Sequence, residues 1–411
     1  MAGRRHADPA FGLVAVGVGL ACGGWASGNA LLAVAGAIIG LTALLSWAWG
    51  RWCLTGVTYA RRLDHTRATF GERLGMEIEL VNDKLLPLAW LHLRDLVPPD
   101  LSVQGAVVTV SGRRRELHLV LAMLPYQRVR RRVTVVCTER GVHRFGPATL
   151  RSGSPLGTHE RAVEVDSEQP LLVYPKVMPL STLPLTSRVP LGERRVRQSI
   201  ALDPTRVVGV RPYLTGDPVR TIDWRATARS GDLLVRVHEP AASPSVALFV
   251  ELLPPRGVSR RVGRELIELL VSMAASVASG LLSAGVATGL YTTGTAQGVP
   301  VAVPPSRDPG TRTAMLELLA RVVPAGGVPL PEALVRTRHR MGVSVLVLAA
   351  DFPATTCRAL AEVHRRSSVG ALWLGADGAG TPPPRQLVDA WWQVSADESW
   401  RDWQALQLVA R

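Results

Sequence analysis

Residues Val210–Pro240 read "VRPYLTGDPVRTIDWRATARSGDLLVRVHEP", and this stretch concentrates charged and aromatic side chains more densely than the sequence around it. Such a segment can be a catalytic centre, an anion-binding site or a brace that holds a fold together. The residues that decide between these interpretations are Arg211, Tyr213, Gly216, Asp217, Arg220, Asp223, Trp224, Arg229 and Arg236.

A turn followed by a helix is predicted within this stretch. Asp217 is placed to cap the helix and Pro218 to occupy its first position, and the helix is expected to run to about Arg229. On that helix Asp217, Arg220 and Asp223 are spaced by three residues, so their charges can pair on one face. One interpretation is an ion-pair network that fixes the segment on a sheet. The other is a group of arginines that holds a phosphate or carboxylate.

Downstream of this stretch, short apolar runs alternate with helical patterns. This alternation predicts a mostly parallel sheet with helices on both faces. Ligands of such folds bind beyond the carboxyl ends of the strands. The predicted strands are Val246–Leu253, Val286–Thr292, Val343–Ala350 and Val369–Leu374, and the predicted helices are Arg260–Ala284, Met315–Val323 and Thr356–Arg366.

The amino-terminal region predicts a membrane hairpin. The run from Ala10 to Gly50 holds no charged residue, which is too long for one span and suits two helices, Ala10–Ala26 and Ala30–Trp49. Small residues four apart allow two helix backbones to approach closely. Such pairs are Gly19 with Gly23, Gly24 with Gly28, and Gly36 with Gly40.

Flanking charges predict the orientation of the hairpin. Basic residues precede the first helix and follow the second, while the turn between them is uncharged, so the positive-inside rule places both ends in the cytoplasm. The expectation is a multi-pass protein of the cytoplasmic (inner) membrane with cytoplasmic soluble domains. Alternatives are a cleaved secretion signal and a lipoprotein modified at Cys22. The flanking residues are Arg4 and Arg5 before the hairpin and Arg51, Arg61, Arg62 and Arg67 after it.

Between the hairpin and residue 175 the pattern is all-β. Met76, Ile78 and Leu80 alternate with glutamates, which is the period of a strand with one buried face. Several such segments separated by turn residues predict a β-sandwich-like domain. The chain then divides into a transmembrane hairpin and juxtamembrane segment at 1–62, a β-sandwich-like domain at 63–175, a linker at 176–204, and the signature segment with an α/β domain at 205–411.

Composition and missing motifs exclude several classes of function. The formal charge is +14, but 45 of the 47 basic residues are arginine, since Lys84 and Lys176 are the two lysines. Aromatic residues make up 5% and leave few base-stacking platforms, so nucleic acid is not the expected partner. Neither lysine follows a glycine, which excludes a Walker A loop. The four cysteines are widely spaced and predict neither a zinc site nor a disulfide framework.

The pattern from Arg211 to Arg229 closely resembles the signature of the bacterial domain-of-unknown-function family number 58. The resemblance extends to "GERLGMEIELVNDKLLPLAWLHLRDLVPPDL" and "RGVHRFGPATL" in the β region, although Ser154–Gly157 stands where Asp-Pro-Phe-Gly is usual. It implies a carboxy-terminal α/β domain similar to a von Willebrand factor type A domain. Such a domain binds Mg²⁺ through a strand-end Asp-x-Ser-x-Ser. Glu251, Leu253 and Pro255 occupy the corresponding positions here, with Asp351 at a neighbouring strand end, so the site is degenerate and neither metal nor cofactor is expected.

The resemblance also implies partners. Proteins of this family accompany a MoxR-type AAA+ ATPase and a transglutaminase-like membrane protein, so the expected function is a non-enzymatic, membrane-anchored scaffold or adaptor in envelope-linked assembly or stress function. The basic stretch Arg188–Arg197 is a candidate contact with an acidic partner surface. Two alternatives from other classes remain. One is an anion-processing enzyme that uses Asp217, Arg220 and Asp223, and the other is a polyanion binder.

Overall fold

The protein is described by a computed structural model that falls into two compact units, Met1–Tyr174 and Pro175–Arg411. It describes residues 9–112, 114–180, 202–214, 219–240, 245–255, 257–296, 301–324, 327–337, 344–365, 367–375, 380–395 and 399–410.

Two antiparallel helices open the first unit, α1 (Pro9–Ala26) and α2 (Ala30–Trp52). Asn29 caps α2 by accepting the amide hydrogen of Leu32 at 3.3 Å. Gly28 precedes it with φ +70°, a left-handed conformation that glycine adopts without strain. The predicted turn at residues 27–29 is therefore confirmed.

Backbone-to-backbone contact holds the hairpin together, but not through all of the predicted glycines. A Cβ atom at Gly24 would lie 2.3 Å from the amide nitrogen of Ala33, and one at Gly17 would lie 2.4 Å from that of Gly40. Gly19 and Gly23 have no atom within 4 Å of such a Cβ. The predicted Gly19–Gly23 pair is thus wrong, because those two residues lie on a face of α1 that α2 does not cover.

In the part of the chain that the structure describes, length and composition mark α2 and one other helix, Arg260–Ser283, as able to cross a membrane. The two differ in burial, since 17% of the most apolar window of α2 is buried and 78% of that of Arg260–Ser283. The latter is a core helix of the second unit. The apolar part of α1 over Gly12–Ala26 is shorter. Membrane association is therefore supported by composition, while the number of spans and their sidedness remain predictions.

The rest of the first unit is built of strands that form two larger sheets and one small one. Their orders are β1-β3-β8-β5, β11-β10-β4-β7-β6 and β2-β12-β9. Buried residues of the two larger sheets share one hydrophobic core, as in a β-sandwich. The strands are β1 Val57–Leu63, β2 Arg67–Ala68, β3 Arg73–Asn82, β4 Leu88–Val97, β5 Ser102–Gln104, β6 Val107–Ser111, β7 Arg114–Met123, β8 Arg128–Val136, β9 Gly141–Phe145, β10 Ala148–Gly153, β11 Glu160–Val165 and β12 Gln169–Val173.

A buried polar network lies inside this core. Arg61 donates from Nη1 to Oδ1 of Asp95 at 2.5 Å, and the hydroxyl of Tyr59 donates to Oδ2 at 2.7 Å. Arg61 also donates to the carbonyl oxygen of Ser167. Burial, followed by the nearby Asp95 carboxylate, raises the pKa of Tyr59. Arg61, counted above among the flanking charges, is thus a core residue paired inside the fold.

The second unit contains a seven-stranded sheet within its described residues, of order β18-β16-β15-β20-β21-β22-β23. The five central strands are parallel and the two edges antiparallel. The elements are β13 Leu202–Pro212, α3 Trp224–Ser230, β14 Leu234–Pro240, β15 Ser245–Val250, α4 Arg260–Ser283, β16 Ala287–Thr292, β17 Thr295–Ala296, β18 Ala302–Ser306, α5 Pro309–Arg321, β19 Val322–Val323, α6 Leu330–Thr337, β20 Ser344–Ala349, α7 Ala354–His364, β21 Ser368–Gly375, β22 Ala390–Ser395 and β23 Val409–Ala410.

Helices cover both faces of this sheet, as predicted. Along β15, Leu248 lies in the core that contains α4 and α5, whereas its neighbour Phe249 lies in the core that contains α6 and α7. The sequence pattern missed α6 and β22. Residues 176–180, assigned above to a linker, pack against this unit instead, since Met178 is buried in its core and its amide donates to the hydroxyl of Ser276 at 2.8 Å. Residues 181–201 lie outside the described residues.

Candidate functional site

The residues singled out from the sequence lie on a β-hairpin with a short helical insertion. Strands β13 and β14 pair antiparallel, with Arg211 opposite Val235. The connection between them contains a 3₁₀ turn, Val219–Thr221, and then α3. Ile222 forms an isolated bridge to Val235, which ties this connection back to β14. We call residues 209–240 the signature module.

Asp223 has two structural roles in the signature module. Its Oδ1 accepts the amide hydrogens of Arg225 and Ala226, each at 3.1 Å, which caps the amino terminus of α3. Its Oδ2 accepts from Nε of Arg236 on β14 at 3.0 Å. The Arg236 guanidinium, followed by the amide of Ala226, lowers the pKa of the Asp223 carboxyl group. The acidic group at this helix terminus belongs to the protein, so the terminus does not present its amides to an external anion.

The structure corrects the predicted start of this helix. Asp217 and Pro218 were expected to start a helix reaching about Arg229, but α3 begins at Trp224 with Asp223 as its cap. A 3₁₀ turn precedes it because Ile222 donates its amide hydrogen to the carbonyl oxygen of Val219 at 3.2 Å. Gly216, Asp217 and the side chain of Arg220 lie outside the described residues, so the predicted Arg220 pairing is untested there.

Three other described residues of the set, Arg211, Tyr213 and Arg229, lie along the hairpin and α3. Arg211 donates from Nη1 to the carbonyl oxygen of Pro212 at 3.0 Å. Tyr213 donates its amide hydrogen to the carbonyl oxygen of Leu233 at 2.9 Å, which extends the hairpin. Arg229 is exposed near the end of α3. Of the candidate set, the structure brings Asp223 and Arg236 together through their side chains.

Large apolar side chains are exposed on the signature module. Trp224 is 63% exposed although it is the first residue of a helix. A surface of this kind is typical of protein–protein contacts. Trp224 was singled out from the sequence as a candidate, but three further exposed residues were not. Their signal in the sequence is that each is a large apolar residue beside a turn or a charged residue. They are Leu214, Val219 and Leu233.

A second candidate lies where the order of the seven-stranded sheet reverses, between β15 and β20. Glu251 directly follows β15 and is 8% exposed. Its Oε1 accepts the hydroxyl hydrogen of Thr293 at 2.8 Å and the amide hydrogen of Leu253 at 3.2 Å. Burial raises the pKa of Glu251, and these hydrogen bonds partly oppose that shift.

Thr293 was not predicted from the sequence. Its hydroxyl accepts the amide hydrogen of Leu252 at 2.9 Å while it donates to Glu251, so it bridges two adjacent residues. Gly327 allows this loop to pack closely, because a Cβ atom there would lie 1.7 Å from the carbonyl oxygen of Thr293. The sequence feature that could have identified Thr293 is its place directly after the predicted strand Val286–Thr292, because such folds bind ligands beyond the carboxyl ends of their strands.

Asp351, at the end of β20, is engaged with the backbone. Its Oδ1 accepts the amide hydrogen of Thr381 at 2.8 Å. Leu253 and Pro255, the positions that the sequence resemblance aligns with the hydroxyl ligands of a magnesium site, carry apolar side chains that supply no ligand. Within the described ranges, no three His, Cys, Asp or Glu side chains cluster so as to hold a metal ion. The donor set at Glu251 does not fit Mg²⁺.

The sequence matches one family model and one curated protein. Residues 209–374 match the model of the family described as "Protein of unknown function DUF58", which confirms the resemblance of the signature. The chain is also similar to the uncharacterized protein YeaD of Bacillus subtilis (strain 168), with 24% identity over 238 residues. That alignment covers 54% of this chain and 52% of YeaD, so the chain spans about half the length of this curated relative.

Solved structures overlap small parts of the chain. A non-cellulosomal cohesin from Archaeoglobus fulgidus covers 29% of this chain and 91% of its own, with 12% identity and a TM-score of 0.21. The CARDB domain of a protein from Pyrococcus furiosus covers 28% and 86%, with 11% identity and a TM-score of 0.19. Overlaps at these TM-scores carry no inference about fold or function.

Proposed function

We propose that the protein is a non-enzymatic, membrane-anchored adaptor whose signature module binds a protein partner. The observation that carries this proposal is that the charged and the apolar side chains of the signature module have different surroundings. The carboxylate of Asp223 is committed to a helix cap and to Arg236, while Trp224, Val219 and Leu233 are exposed. Charges that satisfy each other keep the hairpin and α3 in one geometry, and the apolar side chains remain available for a partner.

The proposed partner is a MoxR-type AAA+ ATPase, with a transglutaminase-like membrane protein in the same assembly. This choice rests on the family resemblance and not on a contact. The α/β unit is proposed to be of von Willebrand factor type A kind. Its five central parallel strands covered by helices on both faces support that assignment, with β18 and β23 as antiparallel strands at the two edges. Since the Glu251 donor set does not suit Mg²⁺, the association is proposed to be independent of divalent cations.

The membrane part of the proposal is a two-span hairpin in the cytoplasmic membrane with both soluble units in the cytoplasm. It is supported by the apolar faces of α1 and α2 and by the exposed Arg51 at the end of α2. Reporter fusions after Arg67 and at the carboxy terminus test this arrangement. Both should report the cytoplasm, and periplasmic activity at either point would contradict it.

The adaptor proposal is tested by recovering the full chain from its own cells in detergent after crosslinking. The ATPase should co-purify, and the yield should be the same in EDTA once nucleotide on the ATPase is kept constant. Purified protein should show no hydrolysis of phosphate or carboxylate esters. Absence of the ATPase would contradict the adaptor proposal. Turnover that Asp223→Asn abolishes would replace the adaptor by the anion-processing enzyme.

A further inference from the structure

The loops of the β region are divided between two opposite ends, and α2 enters at one of them. Strand β1 starts beside the end of β3, and β3 ends beside the start of β8, because Val57 pairs with Asn82 and Val81 with Arg128. In the other sheet Leu88 at the start of β4 pairs with Met123 at the end of β7. The loops at this end are 53–56, 83–87, 124–127 and 154–159.

Hydrogen bonds join these loops to one another and to the end of α2. Asp83 donates its amide hydrogen to the carbonyl oxygen of Gly56 at 2.9 Å. The side-chain amide of Asn82 donates to the carbonyl oxygens of Leu86 at 3.1 Å and Leu124 at 2.9 Å. Loops 83–87 and 124–127 therefore lie beside residues 53–56, which connect the end of α2 to β1.

Each of three loops at this end exposes large apolar side chains, between 67 and 75% of their surface. We call Leu85, Leu124, Tyr126 and Leu156 the apolar rim. The described loops at the opposite end, 64–66, 98–101, 137–140 and 166–168, expose no large hydrophobic side chain. Those loops carry carboxylates instead, namely Asp64, Asp100, Glu139, Asp166 and Glu168, whereas the three rim loops contain Asp83 as their single carboxylate.

The loop 154–159 packs along α2, and a Cβ atom at Gly50 of the helix would lie 2.5 Å from the Cβ atom of His159. This loop packs against α2 around a small cavity lined by Ile39 and Ser46 of the helix and by Leu156 and His159 of the loop. With a rise of 1.5 Å per residue, Ile39 lies about 20 Å from the Trp52 end of α2. A bilayer that surrounds the apolar part of α2 therefore reaches Leu156.

We infer that the apolar rim is a lipid-binding surface that inserts into the bilayer beside the hairpin and fixes the orientation of the β region on the membrane. The occupant is phospholipid, because Leu156 of the rim lies beside the apolar helix α2 and the rim loops lie at the end opposite the loops that carry Asp64, Asp100, Glu139, Asp166 and Glu168. Arg161 lies just after the third rim loop, is exposed and suits anionic headgroups, and it donates to the carbonyl oxygen of Arg51 at the end of α2 at 2.8 Å. Arg128, after the second rim loop, pairs with Glu79 at 3.3 Å. This inference rests on the membrane anchorage proposed above.

Depth-dependent fluorescence quenching tests the inference on the full chain in vesicles of phosphatidylcholine and phosphatidylglycerol. Cys53 and Cys137 are buried, so Cys22→Ser with Cys357→Ser gives a background for single labels. An environment-sensitive fluorophore is placed at Leu156→Cys, Leu124→Cys or Val110→Cys. Val110 is 60% exposed on β6 near the opposite end and serves as the matched control. In a fourth sample the native Cys22 of α1 carries the label and reports the hairpin.

Labels at positions 156 and 124 should emit at shorter wavelength and be quenched by nitroxide lipids at least about threefold more than the label at position 110. Quenching at Cys22 with none at positions 156 and 124 would overturn the inference and leave the anchorage intact. Protection of both rim positions from nitroxide lipid and from aqueous iodide would also overturn it, since a protein would then cover the rim. No quenching at Cys22 would instead refute the anchorage itself and the inference with it.

Discussion

The Oδ2 atom of Asp223 accepts a hydrogen bond from Nε of Arg236 at 3.0 Å, which links the cap of α3 to strand β14 across 13 positions of sequence. Asp223 is thereby held from two sides, by the amides of α3 and by the facing strand. This pair organises the signature module and leaves its apolar side chains exposed, which is the basis of the adaptor proposal.

Substitutions at Asp223 should separate its two roles. Asp223→Asn keeps an oxygen that can cap α3 but loses the charge that pairs with Arg236, whereas Asp223→Ala loses both. Thermal unfolding should rank wild type above Asp223→Asn and Asp223→Asn above Asp223→Ala. Arg236→Gln should add little to Asp223→Ala, because the partner is already absent. Full additivity of the two substitutions would show that the pair makes no energetic contribution.

The same pair predicts a pH dependence. The folded pKa of Asp223 is below its ordinary value of about 4, so its contribution to stability is present above that value and is lost as the pH falls through the lower, folded pKa. The melting temperature of wild type should therefore approach that of Asp223→Asn in acid. Parallel curves for the two proteins down to low pH would contradict this.

The buried pair of Arg61 and Asp95 should dominate the stability of the β region. Their side chains are 1% and 0% exposed, so Asp95→Ala leaves a buried guanidinium without its carboxylate and should cost about 3–5 kcal/mol. Arg61→Met combined with Asp95→Leu should cost less than Asp95→Ala alone, because no charge remains buried. Chemical denaturation of the full chain in detergent measures both. Equal losses for the single and the double variant would exclude an unpaired charge as the cause.

Two adjacent glycines of α1 should differ in their tolerance of a side chain. Gly24→Leu places atoms where the backbone of Ala33 lies, whereas Gly23→Leu places them in open space. The first should separate α1 from α2 and destabilise the hairpin by at least about 1–3 kcal/mol, and the second should leave it unchanged. Unfolding in detergent compares the two variants. Equal stability would mean that the helices do not pack through Gly24.

Glu251 should carry a pH dependence of the opposite sign. Its folded pKa is raised by burial, so the folded state binds more protons than the unfolded state between the two pKa values, and stability falls as the pH rises through that window. Glu251→Gln should be at least as stable as wild type at pH 8, with the difference shrinking toward pH 4. A variant that is less stable at pH 8 and has lost a micromolar Mg²⁺ site in titration would instead make Glu251 a cation ligand.

The sequence predicted the elements whose signals are long and local. The alternation at Met76, Ile78 and Leu80, the run "SVLVLA" of β20 and the uncharged amino terminus all correspond to observed elements. It failed where tertiary contacts decide. Which glycines of α1 meet α2 depends on rotation about the helix axis, and whether Asp217 or Asp223 caps a helix depends on β14, whose Arg236 and Leu234 backbone hold Asp223.

Some residues of the candidate site could not be predicted from the sequence, because they are far apart along the chain. Thr293 is 42 residues from Glu251, and the two meet because β15 and β16 are parallel neighbours. The apolar rim gathers residues from three separate loops, each of which alone is an ordinary exposed leucine or tyrosine. The pairing register of the strands, and not the composition of the loops, places these residues at one end of the β region.

The most direct test of the adaptor account is a binding titration of the full chain in lipid nanodiscs with the purified MoxR-type ATPase of the same organism. Trp224→Ala and Val219→Ser should weaken binding by at least about tenfold, since exposed aromatic anchors carry much of an interface's energy. Val409→Ser, which changes a similarly exposed valine on β23, should bind like wild type. Equal affinity of all four proteins, or no binding by wild type, would contradict the account.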